Sequence, residues 1–124
     1  MNQWLAIALG GAAGAVARYG VSTAVYNGLG REFPWGTLAV NVIGSGAMGI
    51  LFVLFMERMT VSPELRAGLL IGFLGAFTTF STFSIETLNL MEAGEPLKAL
   101  ANALVSVGAC VVATWGGVLL ARSL

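Results

Sequence analysis

The chain has 124 residues, 57% of them hydrophobic and 10% charged, and its formal net charge is zero. Ordinary soluble domains carry roughly 25% charged residues, so a water-facing globular surface is excluded, and a neutral chain offers no basic patch for nucleic acid. With no histidine and one cysteine, the usual transition-metal donors and an internal disulfide are missing, and no phosphate-loop motif occurs.

Charge is absent over most of a bilayer's thickness in four stretches, 1–17, 33–56, 67–85 and 99–121. A spanning helix needs about 20 mainly apolar residues. The expected architecture is therefore an all-α membrane protein with four transmembrane helices and a single domain over 1–124, in which the first helix must run past Arg18. That first segment lacks the pattern of a cleaved signal peptide and is expected to be retained.

Within the first helix, Gly10 and Gly14 have the small-x-x-x-small spacing that lets helix backbones approach in lipid. Arg18 lies inside the same helix, where it either snorkels to the headgroups or lines a vestibule that attracts anions. After a short connection at 27–34, the second helix repeats Thr37, Asn41 and Ser45 at every fourth residue. That spacing stacks polar groups on one face. Asn41 is the strongest polar candidate because a carboxamide carries two donor hydrogens. Ser45 and Gly49 form a second small pair.

The third segment follows a turn at 57–63. It contains the small pair Gly68 and Gly72, then GAFTTFSTFS at 75–84, which has three phenylalanines and five hydroxyl side chains. At helical spacing Phe80 and Phe83 share a side, Ser84 lies one turn from Phe80, and Ser81 lies one turn from Phe77. A ring has a negative face and a positive edge, so rings edge-on beside hydroxyls would suit a small anion, although a Phe pair at this spacing also serves ordinary packing. Gly75 and the β-branched Thr78 and Thr79 disfavour a continuous helix. A break there would free carbonyl oxygens of the kind that ligate alkali cations, and a simple kink fits the same residues. Glu86 follows, either pairing with Arg18 or marking the helix end.

The fourth helix, after a turn at 92–96, carries Asn102, Ser106, Cys110 and Thr114 at four-residue steps. This stripe is roughly 18 Å long at 1.5 Å per residue. Lys and Arg flank both ends of the bundle in near balance: Arg58, Arg66 and Arg122 on the side of the N-terminus, and Arg31, Lys98 and, if it reaches that surface, Arg18 on the other. Topology follows that bias. Balance favours insertion both ways up and an antiparallel pair of chains, and four such helices enclose little interior alone.

Three segments together, residues 11–19 (GAAGAVARY), 36–41 (GTLAVN) and 75–83 (GAFTTFSTF), resemble the Fluc (CrcB) family of fluoride ion channels, in motif order and over essentially the whole chain. The resemblance implies a dual-topology homodimer of antiparallel subunits in the bacterial inner membrane, with the third helix broken near its middle and passive export of cytoplasmic fluoride. It further implies a fluoride pathway of Asn41, Phe80, Phe83, Ser81, Ser84, Thr37, Ser106 and Thr114, with Arg18 near a pore entrance. A structural sodium ion at the dimer centre would be held by the backbone carbonyls of Gly75 and Thr78. The family often has Tyr where this chain has Asn102. Two other classes stand beside it: a small dual-topology proton-coupled transporter of lipophilic cations, for which Glu86 is the sole carboxylate candidate, and a subunit without transport activity of its own.

Overall fold

The computed structural model describes residues 2–124. Its α-helices are α1 (Gln3–Leu29), α2 (Trp35–Val53), α3 (Pro63–Arg66), α4 (Leu74–Phe77), α5 (Phe80–Glu92) and α6 (Pro96–Arg122). A π-helical turn, Leu54–Arg58, prolongs α2, and a seven-residue π-helix, Ala67–Phe73, joins α3 to α4. Taken together these make four segments long and apolar enough to cross a membrane, Gln3–Leu29, Trp35–Arg58, Pro63–Glu92 and Pro96–Arg122. The shortest has 24 residues, roughly 36 Å of helix against about 30 Å of hydrocarbon. As expected, the first helix continues well past Arg18.

Local signals account for the helix ends. Asn2 accepts the Leu5 amide at 2.8 Å as the cap of α1, and Gly30, with a positive φ of 83°, turns the chain out of it. Ser62 accepts the Leu65 amide at 3.1 Å, with Pro63 in the first turn of α3. Pro96 likewise stands in the first turn of α6, there without a side-chain cap.

Packing follows the small residues. In lipid no hydrophobic force draws helices together, so close van der Waals contact has to hold them. Gly10, Gly14 and Gly72 seat α1 directly on the backbone of the π-helix: a Cβ on Gly72 would stand 2.7 Å from the Ile7 carbonyl oxygen, and one on Gly10 or Gly14 would strike the carbonyl of Gly68 or Phe73. On the other side of the bundle, Gly49 meets Thr114 and Gly117 meets Gly46, which locks α2 to α6. Val40 and Val53 are fully buried. In contrast, no residue of α5 is buried.

At one end of the bundle Arg58 donates to the carbonyl oxygens of Arg122 (2.6 Å) and Leu124 (2.8 Å), and Arg122 pairs with Glu57. The C-terminal carbonyls of α6 thereby gain cationic donors. Arg31, Glu95 and Lys98 gather at the opposite end, around a polar cavity of about 640 Å³. The two connections assigned to that side of the membrane do meet there.

Candidate functional site

Backbone accounting around Thr78 and Thr79 defines the centre of the site. Both residues are extended, Thr78 at φ −88°, ψ 160° and Thr79 at φ −151°, ψ 124°, between α4 and α5. In an uninterrupted helix the Thr79 amide would reach the Gly75 carbonyl and the Thr82 amide the Thr78 carbonyl. Here the Thr79 amide donates to Asn41 Oδ1 at 2.8 Å and the Thr82 amide to Thr79 Oγ1 at 3.2 Å. The carbonyls of Gly75 and Thr78 are thus left without their i+4 donors. Ala76, between them, receives Arg18, whose Nε–H donates to its carbonyl oxygen at 3.0 Å. Gly75 and Thr78 therefore present neutral carbonyl oxygens of the type an alkali cation takes, and two from one chain make an incomplete shell.

Asn41 clamps this segment at two points, because its Nδ2 also donates to the Thr79 carbonyl at 3.0 Å. One of its two amide hydrogens is engaged in that bond, and Nδ2 donates no other. Beside it runs a groove of about 430 Å³, lined by Asn41, Phe80, Phe83, Ser106, Cys110 and Thr114, with Gly75 and Thr78 at its wall. The two rings lie 5.3 Å apart at 42°. Phe80 is 76% exposed, so its own chain leaves the ring almost unpacked.

The structure thus brings Asn41, Phe80, Phe83, Ser106 and Thr114 to one surface. Ser81 and Ser84 are exposed on α5 outside the lining, and Ser84 donates to the Phe80 carbonyl at 2.9 Å. Thr37 is buried one turn away from Asn41 and donates to Glu86 Oε1. Glu86 also accepts the Tyr26 hydroxyl at 2.7 Å. Neither reading of Glu86 describes its place: the helix runs on to Glu92, and instead of a pair with Arg18, which caps the Ala76 carbonyl, Glu86 accepts two neutral hydroxyls. Among the described residues the one ion pair is Arg122 with Glu57. Tyr26 in turn lies under the Arg31 guanidinium, 4.6 Å from its ring centre, and Tyr26, Arg31 and Glu86 line the polar cavity at that end.

Two participants were not singled out in the sequence, Tyr26 and Thr87. Tyr26 lies beyond the apolar stretch at 1–17. Thr87 lies one turn past Ser84 and accepts Asn102 Nδ2 at 2.9 Å. Extending the hydroxyl pattern of the third segment by one more turn would have included it.

Comparison with known proteins places these features in a family. A model of the CrcB-like protein, Camphor Resistance (CrcB) family matches residues 5–118. Among the relatives that carry the name fluoride-specific ion channel FluC are the following three. That of Magnetococcus marinus is 59% identical over 116 residues, 94% of each chain. That of Geobacter sulfurreducens is 54% identical over 124 residues, all of both chains. That of Methylococcus capsulatus is 58% identical over 119 residues, 96% of this chain and 52% of its own, so this chain spans about half of that relative's length. The chain belongs to the CrcB family.

Proposed function

We propose that the protein is a fluoride-selective channel that passively exports cytoplasmic fluoride across a bacterial inner membrane, through pores formed in an antiparallel homodimer. The observation that carries this reading is the convergence of Asn41, Phe80, Phe83, Ser106 and Thr114 on one groove. An ion moving there exchanges its water stepwise for an amide hydrogen, hydroxyls and the positive edges of rings. No full positive charge lines the groove, so no step needs to hold the ion too tightly for exit. The names of relatives matching over nearly the whole chain support fluoride as the ion.

A second, inverted copy is the partner that the groove calls for. It would cover the exposed Phe80 ring and bring its own Gly75 and Thr78 carbonyls to the first pair. Four neutral oxygens then suit a sodium ion at the dimer centre, one that ties the two third helices together at their discontinuity. Arg18 is kept near a pore entrance in this reading, with its charge anchored at Ala76.

The proton-coupled cation transporter is the less favoured alternative. It needs a carboxylate in the transport path, whereas Glu86 lies outside the groove with two hydroxyl partners. Purified protein in liposomes should release fluoride and retain chloride. Drug efflux lost in Glu86→Gln, without fluoride transport in the parent, would favour the alternative.

A further inference from the structure

We infer that Thr87 acts through Asn102 to set the direction in which Ser106 offers its hydroxyl proton, and thereby how tightly the groove holds an anion beside α6; this rests on the channel reading above. The chain of reasoning begins with a single proton. Thr87 Oγ1 donates to the Phe83 carbonyl at 2.7 Å, and a hydroxyl has one hydrogen to give. Toward Asn102, 2.9 Å away, Thr87 can only accept, so Asn102 must turn Nδ2 to it. Asn102 Oδ1 then faces Ser106, which must donate, at 3.3 Å. The reversed amide would set two oxygens against each other at Thr87 with no proton between them.

Burial makes this orientation consequential. Asn102 is 2% exposed and Ser106 7%, where unmatched polar contacts are expensive. Ser106 also lines the groove, whereas Thr87 does not. Its bond is the longest among the groove hydroxyls that donate one: Thr78 donates to the Leu74 carbonyl at 3.0 Å, Thr79 to Thr82 Oγ1 at 3.1 Å and Thr114 to the Ser45 carbonyl at 3.1 Å, against a usual 2.7 to 2.8 Å. Of these bonded hydroxyls Ser106 is therefore the one most easily redirected to a passing anion, and it donates again to Asn102 Oδ1 as the ion leaves. That return keeps the site shallow.

Thr87→Val keeps the side-chain shape and removes the oxygen. Asn102 is then free to reverse and donate to Ser106, whose proton points into the groove permanently. Fluoride efflux from liposomes, measured against fluoride concentration, should show half-saturation lowered about threefold or more, with maximal flux falling by a similar factor. Thr87→Ser restores the parent's half-saturation, and Ser106→Ala removes the shift from the Thr87→Val background. Asn102→Leu, which deletes the acceptor, shifts half-saturation in the same direction and is the variant read if Thr87→Val does not assemble. A purely packing role would lower the yield of assembled protein and leave half-saturation unchanged, which overturns the inference while the channel reading stands. A parent protein without fluoride flux overturns the channel reading itself.

Discussion

The two halves of the third span are finished to different degrees. From Ala67 to Phe73 the π-helix lies on α1 with glycine at the contacts, and backbone meets backbone without intervening side chains. From Phe80 to Glu92 no residue is buried, and Phe80 projects almost free. One half is complete within a single chain, and the other leaves a ring and a polar groove uncovered. Stability and transport should therefore respond to different substitutions along the same span.

The largest effect is expected where the contact is closest. Gly14→Leu would drive a side chain into the Phe73 carbonyl, with no room on the α1 side to yield. Overpacking costs about 1–3 kcal/mol in ordinary cores and more against backbone. Folded protein should largely disappear from size-exclusion profiles in detergent. A monodisperse, thermally unchanged variant would show that the π-helical contact is not what holds the half together.

In the open half, Phe80→Ile and Asn41→Asp should each abolish the proposed fluoride flux while leaving the proposed dimer assembled. The first removes the ring edge, and the second removes the amide hydrogens and puts a negative charge in an anion's path. Substantial flux through both variants in liposomes would contradict the role given to the groove. Arg18→Gln should have an intermediate effect. It withdraws the guanidinium from the Ala76 carbonyl, and a lost partner of this kind costs about 1–3 kcal/mol, visible as a lowered unfolding temperature, with Arg18→Lys recovering part of it.

The smallest effect is expected at the membrane edge. Glu57 and Arg122 pair with side chains 39% and 54% exposed, where solvent screens the attraction. Glu57→Gln should unfold at the parent's temperature in moderate salt, and a clear drop would mean the end clamp is coupled to the core.

How much of this was legible in the sequence varies with the range of the interactions. The four spans follow from charge-free length alone, and the contacts of Gly10, Gly14, Gly49 and Gly72 fall in pairs of four-residue spacing, because both are written locally; the seat of Gly117 on Gly46 is not part of such a pair. The gathering of Asn41, Phe80, Phe83, Ser106 and Thr114 needed helical pitch plus the family resemblance. The partners of Arg18 and Glu86 were not legible: opposite charges suggested a pair, but Arg18 reaches a carbonyl 58 residues away and Glu86 a tyrosine 60 residues away. Helix rotation decides such contacts, and the apolar pattern of a membrane helix constrains rotation weakly because lipid accepts every face. Thr37 illustrates the same point. It shares a stripe with Asn41, yet one turn moves it from the groove to Glu86.

Radiotracer or electrode-monitored efflux from liposomes containing only this protein tests the central claim most directly. The account predicts rapid release of fluoride with chloride retained in the same vesicles. Vesicles that hold their fluoride, or lose both halides at equal rates, would contradict it.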